Sequence, residues 1–351
     1  MLIHQIERLL DKEAKKLSTL QFAMHLPAAN VDYHYSSTGN QHQRFHSASV
    51  GKLLTSTLVF IAIEKGWLTL DTRVQTILKP GLLNHLFVVA GQDFQDEVRV
   101  RHLLAHTSGI NDYYSSKIVK HSAFLKQMKE NPDVFWTPED LLDYTRYQQE
   151  AIARPGQKFF YSDTGFVLLG LMLEAIFEAP FHDILDTYIF KPCHMTETTL
   201  AFYGSTFEAG ELAPLIINGH DIHLFRSLSC DFAGGGLSTT AGDLLLFLSA
   251  LHQGRLISQE SLRQMADFKH QYHRGLYYGL GMMQVRFGEF FFLLRGMPDL
   301  QGHWGMTGVH ACYHPQTGAC FVLNVGNDKD MARSFKLLIK LLRLLASEGQ
   351  L

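Results

Sequence analysis

Apolar residues near the start of the chain recur at helical spacing. Ile3, Ile6, Leu9 and Leu10 make one face of MLIHQIERLLDKEAKKL, and charged residues fill the other. The pattern then becomes strand-like, with an apolar run from Leu20 to Leu26, a turn at Pro27 to Asn30, and alternation at Val31, Tyr33 and Tyr35. From Ser49 to Lys65 the chain reads as a buried helix, apolar at Leu53, Leu54, Leu58, Ile61 and Ala62 and closing at Gly66. Residues from about 75 to 225 form helical patches and loops. Within them Thr137-Pro138-Glu139-Asp140 supplies a cap, a proline in the first helical position and a carboxylate two residues on. Past Cys230, three glycines (Gly234 to Gly236) precede Ser238-Thr239-Thr240 and a helix from Leu244 to Leu251. Strand-like runs follow at Met282 to Phe287, Phe290 to Leu294, Val309 to Tyr313 and Cys320 to Val325, and an amphipathic helix spans Met331 to Leu345.

Strands at both ends with helices between them predict an α+β fold, in which an antiparallel sheet flanked by helices carries an inserted, mostly helical subdomain. Residues 1–75 with 226–351 make the sheet part, 76–225 make the helical part, and a site is expected between them. The final helix carries Lys336, Lys340 and Arg343. Its periodicity favours a cover over the sheet rather than a membrane-surface segment.

Composition adds mainly exclusions. The chain has 351 residues, of which 46% are hydrophobic and 19% charged, with a net charge of -3 and no long run of one sign. A large core is available, and the basic stripe of a nucleic-acid binder is absent. No apolar run reaches the length of a bilayer span, and the first helix lacks the apolar centre of a signal peptide, so the expected location is cytoplasmic. Cys312 and Cys320 flank the turn His314-Pro315-Gln316-Thr317-Gly318. Pairing across that turn sets Cys312 opposite Phe321 and points the two thiols to opposite faces, so they and Cys193 and Cys230 read as reduced and buried.

Three motifs carry chemistry. Ser49-Val50-Gly51-Lys52 opens the buried helix, where free N–H groups favour developing negative charge and Lys52 shares a face with Ser49. A serine hydroxyl needs a neighbouring base before it becomes a nucleophile. Tyr161-Ser162-Asp163 stands between the turn Pro155-Gly156 and an apolar helix from Phe166. A phenol near a lysine ammonium has its ionised form favoured, which makes Tyr161 a candidate general base. His303-Trp304-Gly305 precedes a strand hairpin, where a glycine lets substrate backbone approach an edge strand. The N–H groups of Met306 and Ser49 are candidates for an oxyanion hole. His252-Gln253-Gly254 has the same H-x-G form but closes a helix.

In this order the residues resemble the class C β-lactamase and penicillin-binding-protein-like serine hydrolases, a group that includes D-alanyl-D-alanine peptidases, D-amino-acid peptidases and family VIII esterases. Ser49-Val50-Gly51-Lys52, Tyr161-Ser162-Asp163 and His303-Trp304-Gly305 are similar to the family's first, second and third motifs. VRVRHLLAHTSGI at 98–110, GWLTLDTRV at 66–74, FAGGGLSTTAGDL at 232–244 and YGLGM at 278–282 are further family-like phrases, extending the resemblance from about residue 20 to 328. It implies a β-lactamase/transpeptidase-like fold and a hydrolase that acylates Ser49 with help from Lys52 and Tyr161. It implies a small ester, amide or β-lactam substrate and no cofactor or metal. The expected activity is esterase or peptidase-like, with a β-lactamase or D-alanyl-D-alanine carboxypeptidase as the alternative and a non-catalytic penicillin-binding sensor as the alternative of another class.

Two departures stand out. Asp163 occupies the place where the family usually has Asn, and a carboxylate there favours the charged form of Lys52, leaving Tyr161 as the better base. His303 replaces the lysine of true β-lactamases and holds a substrate carboxylate less firmly. His102 and His106 are spaced i, i+4 on a predicted helix, and their phrase favours a structural role over metal binding. Tyr113 and Tyr114 are candidates to line the cleft, within the stretch 111–160 expected to shape it. No G-x-S-x-G pentapeptide occurs.

Overall fold

The computed structural model describes residues 2–114, 124–204 and 212–351. Its centre is an eight-stranded antiparallel sheet built from both ends of the chain. In chain order the strands are β1 (Gln21–Leu26), β2 (Val31–Ser36), β3 (His270–His273), β4 (Leu276–Tyr278), β5 (Met283–Val285), β6 (Leu300–Gly305), β7 (Val309–Tyr313) and β8 (Cys320–Asn324). They lie in the order β3-β4-β5-β6-β7-β8-β1-β2, so β8 hydrogen-bonds to β1 and joins the two ends of the chain.

Two helices cover one face of the sheet. The first, α1 (Leu2–Ala14), buries Ile6 and Leu10, and the last, α5 (Met331–Ser347), buries Leu337, Leu338, Leu341, Leu342 and Leu345 in the same cluster as Phe22, Met24, Phe321 and Leu323. The predicted cover is therefore what this helix does. The opposite face packs on α2 (Gly51–Glu64) and α4 (Ala241–His252), and α3 (Asp163–Phe177) packs against α2, all within the larger core cluster. The α4 helix starts where Thr240 accepts the Asp243 N–H at 3.2 Å, and Thr137 and Asp140 form the expected reciprocal cap. Cys312 pairs with Phe321 and joins the first cluster, while Cys320 joins the second, so the thiols sit on opposite faces. All four cysteines are free and buried.

Three expectations need correction. Phe290–Leu294 is not a strand. Residues Phe287–Phe290 form a helical turn and Phe292–Leu294 a 3-10 turn, because β5 already takes the sheet position beside β6 and leaves this run without a partner. Two strands, His270–His273 and Leu276–Tyr278, escaped the pattern because their polar and aromatic residues show no apolar alternation. Finally, His102 and His106 do not share a helix, since it ends at Leu104 and His106 has a left-handed φ of 54°. Among the described residues no group of His, Cys, Asp or Glu side chains could hold a metal ion, and no single helix is long and apolar enough to cross a membrane.

Candidate active site

Ser49 lies in the 3-10 turn Ala48–Val50 that leads into α2, at the wall of a cleft of about 460 Å³. The turn is unusual, because Ala48 has a φ of 46°, a left-handed conformation that costs a Cβ-bearing residue roughly 1–2 kcal/mol. Its neighbours hold it there. The Ser47 hydroxyl donates to the Gly235 carbonyl at 2.8 Å, and the Ala48 N–H donates to His46 Nδ1 at 3.2 Å. Both glycine motifs exist for close approach. A Cβ on Gly235 would stand 2.3 Å from the Ala48 carbonyl oxygen, and one on Gly305 would stand 2.7 Å from the Ala48 Cβ and 3.4 Å from the Ser49 nitrogen.

Lys52 is completely buried, and its three N–H bonds are all engaged. They point to Ser49 Oγ at 3.3 Å, to the Gly234 carbonyl at 2.7 Å, and to a short contact with Asp163 Oδ1. The ammonium also sits 5.0 Å from the centre of the Tyr161 ring. Asp163 opens α3, where Ser162 caps the helix by accepting the Gly165 N–H at 3.3 Å. Burial pushes the Asp163 carboxyl up to about 6; Lys52 opposes that shift and the buried Asp112 carboxyl reinforces it. Asp112 accepts the Asp163 N–H at 2.9 Å and is itself absent from the sequence-based site.

Tyr161 hydrogen-bonds to Ser49, so the serine hydroxyl stands between the phenol and the lysine. The expectation that lysine favours the phenolate is reversed here. Burial dominates, Asp163 adds to it, and the Tyr161 pKa lies well above 10 despite the Ser49 hydrogen bond. Its ring rests on His106, 4.2 Å between centres, and His106 Nδ1 accepts the Ser162 N–H at 3.1 Å. Burial first, and then the charge of Lys52, keep His106 neutral.

His303 stands in β6, which is central to the sheet rather than an edge. β5 pairs with β6 only up to Gly302, however, so His303, Trp304 and Gly305 run past its end. The His303 ring is fully buried, 3.2 Å from the Tyr278 hydroxyl and 3.2 Å from the Trp304 carbonyl, and burial with Lys52 beside it keeps it neutral. It does not line the cleft, whose wall there is formed by Trp304, Met306 and Thr307. Tyr114 lines the cleft, whereas Tyr113 is a core residue donating to the Cys230 carbonyl at 2.7 Å. Of the stretch 111–160 only Tyr114 reaches the described wall, and residues 115–123 lie outside the described residues. Much of the wall comes instead from 215–335, including Asp231, Tyr272 and Asp328, none of which the sequence marked. Asp231 faces His46 Nε2 at 3.1 Å. No lysine or arginine appears among the described residues of the wall.

The β-lactamase family model matches residues 33–345. The chain belongs to the β-lactamase family. This β-lactamase-family protein is 26% identical to penicillin-binding protein 4 of Amycolatopsis lactamdurans over 226 residues, covering 56% of this chain and 52% of the relative. It spans about half the length of the curated relatives it matches, 48%, 48% and 47% in three of them. Among solved structures it is similar to the D-amino acid amidase from Ochrobactrum anthropi SV3 complexed with L-phenylalanine amide, with a TM-score of 0.81, 22% identity and 99% of both chains covered. It is also similar to EstCE1, a hydrolase with promiscuous acyltransferase activity, with a TM-score of 0.74, 17% identity and 98% of both chains covered. The fold is thus β-lactamase/transpeptidase-like.

The buried carboxyl gives this protein a pH signature. Protonating Asp163 removes the counter-ion of Lys52, so turnover is expected to fall as pH drops through about 6. In Asp163→Asn that acid limb should vanish from the profile of kcat/KM against pH, and an unchanged limb would assign it to another group.

Proposed function

We propose that the protein is a serine hydrolase that cleaves a small ester or amide through an acyl-Ser49 intermediate. The observation that carries this reading is the placement of the Ser49 hydroxyl at the cleft wall, between the Tyr161 phenol and the Lys52 amine. As an ammonium, Lys52 spends all three N–H bonds as a donor and has no lone pair for the serine proton. Tyr161 is therefore the relay. As Ser49 Oγ bonds to the carbonyl carbon, its proton moves to the phenol oxygen, and the phenol's own proton moves to the departing oxygen or nitrogen. This route needs no standing phenolate, which the raised pKa disfavours. The carbonyl oxygen is received by the N–H groups of Ser49 and Met306, whose strand end lies against the nucleophile turn. Water then attacks the acyl carbon, and the same relay runs in reverse to restore Ser49.

Charge narrows the substrate. A substrate carboxylate meets no lysine or arginine on the described wall, and His303 is both buried and neutral. Acyl groups without a carboxylate are favoured over β-lactams and C-terminal carboxylates. p-Nitrophenyl acetate and butyrate should turn over, with nitrocefin slow or inert; efficient nitrocefin hydrolysis would overturn this ranking. Tyr161→Phe is expected to lower kcat by about 100-fold or more, the scale of a lost general acid-base. A near-normal rate in that variant would move the proton transfer to Lys52. The four buried free thiols support a reducing, cytoplasmic setting.

A further inference from the structure

The link from β5 to β6 holds a feature that hydrolysis does not use. Phe291, Phe292 and Leu293 follow one another there and are 50%, 61% and 63% exposed. Among the described residues, no other large apolar side chains this exposed are adjacent in sequence. Single surface hydrophobes are ordinary, whereas a contiguous patch marks a contact surface. The base beneath the tip is firm. Phe287 and Leu294 are buried in the cluster under α1 and α5, and the Phe290 ring packs on Phe335 with 6.1 Å between centres. A Cβ on Gly275 would stand 2.7 Å from that same Phe290 ring. The three side chains are therefore held out on a packed turn, with the Phe291 and Phe292 rings 4.7 Å apart.

Backbone and charge indicate what covers them. The Leu294 N–H donates to the Phe291 carbonyl at 2.9 Å, and the Arg295 N–H donates to the Phe292 carbonyl at 3.3 Å. Backbone that pairs internally can enter a lipid interface at low cost, and it offers no strand edge to a protein partner. Arg274 and Arg295 are exposed beside the tip, and neither guanidinium is ion-paired among the described residues. Arg274 is fixed to the turn by donating from Nε to the Glu289 carbonyl at 2.6 Å. The local carboxylates are engaged. Glu289 accepts the Tyr277 hydroxyl at 2.8 Å and faces Arg286 at 3.6 Å, and Asp299 accepts from Gln284 Nε2 at 3.4 Å. Cations beside an apolar tip complement an anionic lipid surface, where acyl chains lie beneath phosphates. A second copy of this chain fits poorly. A two-fold contact through the tip would bring the arginines of both copies together, and three side chains fall far short of the roughly 20–30 residues a side of a stable interface. The tip also stands beside the cleft, because Gly275 adjoins Leu276, and Leu276 and Phe335 both line it.

We propose that the turn 287–295 is a membrane-docking element that inserts Phe291, Phe292 and Leu293 among the acyl chains of an anionic lipid surface, with Arg274 and Arg295 at the headgroup phosphates. Docking sets this end of the cleft against the lipid. The inference does not depend on the hydrolase reading.

The test is flotation of the full chain with vesicles of equal parts phosphatidylcholine and phosphatidylglycerol, against vesicles of phosphatidylcholine alone. Wild type should bind the mixed vesicles about tenfold or more tightly, the scale of two basic residues at an anionic surface. Arg274→Gln/Arg295→Gln should erase most of that preference. Phe291→Ser/Phe292→Ser/Leu293→Ser should weaken binding to the mixed vesicles by about tenfold or more, since insertion strength follows the apolar area buried. Trp67→Ser, which removes an exposed apolar side chain elsewhere, should leave binding unchanged. Thermal unfolding followed by circular dichroism reports that each variant is folded. In Phe292→Trp, brominated acyl chains should quench the added indole on the mixed vesicles. Wild type that binds neither vesicle, or a triple-serine variant that binds like wild type, would overturn the proposal. A concentration-dependent dimer that the triple-serine variant abolishes, without vesicle binding, would overturn it in favour of a second copy.

Discussion

Replacing Ser49 with Ala is expected to abolish labelling by a fluorophosphonate and to cut ester hydrolysis by on the order of 10,000-fold or more, as loss of a covalent nucleophile does elsewhere. The expectation follows from the pair of hydrogen-bond partners on Ser49 Oγ and from its position at the cleft wall. The substitution is sterically mild, since the preceding Ala48 already carries the strained φ of 46° and the Ser47 and His46 contacts that hold the turn are untouched. Peptide mapping of the labelled wild type should recover the adduct on Ser49. Labelling at another residue, or full hydrolysis by Ser49→Ala, would remove the acyl-Ser49 intermediate, and a wild type that neither labels nor hydrolyses would favour a non-catalytic binding module.

Lys52→Met should produce a second large effect, this time on both stability and activity. Lys52 is fully buried and Asp163 is 16% exposed, and removing one member of a buried pair costs about 3–5 kcal/mol because the other is left uncompensated. The pH dependence of that loss has a definite sign. Asp163 already has a folded pKa raised to about 6, and without Lys52 it rises further. The destabilisation relative to wild type should therefore set in only as pH rises through about 6, where Asp163 ionises in the folded wild type, and should level off above the variant's higher folded value. In the double variant Lys52→Met/Asp163→Asn the stranded charge is gone, so most of the stability should return while hydrolysis stays lost. Urea unfolding at pH 5 and pH 8 measures this cycle. A Lys52→Met protein as stable as wild type at pH 8 would show that Asp163 sheds its charge at no cost.

The sheet and its covering helices were legible where periodicity was strong. Ile6, Leu10 and the leucines of α5 repeat at helical spacing, and that face alone decides which side they bury. The strands β3 and β4 were not legible because His270–His273 and Leu276–Tyr278 are polar and aromatic, and only pairing with β5 makes them strands. Conversely, Phe290–Leu294 has the composition of a strand but no neighbour to pair with, which leaves Phe291, Phe292 and Leu293 exposed.

For the proposed site, the sequence by itself named the cast. Ser49 and Lys52 are bound together by local helical geometry, which three residues of spacing already specify. Residue type also marks Tyr161, Asp163 and Gly305. What only the tertiary structure decided is how these residues behave electrically and what surrounds them. Burial depends on elements far apart in sequence, and it reverses the expected ionisation of Tyr161, raises Asp163 and turns His303 into a neutral core residue. Asp231 and Asp328 reach the cleft through loops 182 and 279 residues away from Ser49 along the chain. No local pattern encodes that meeting, because it is made by the packing of β6, α5 and the glycine turn against the nucleophile.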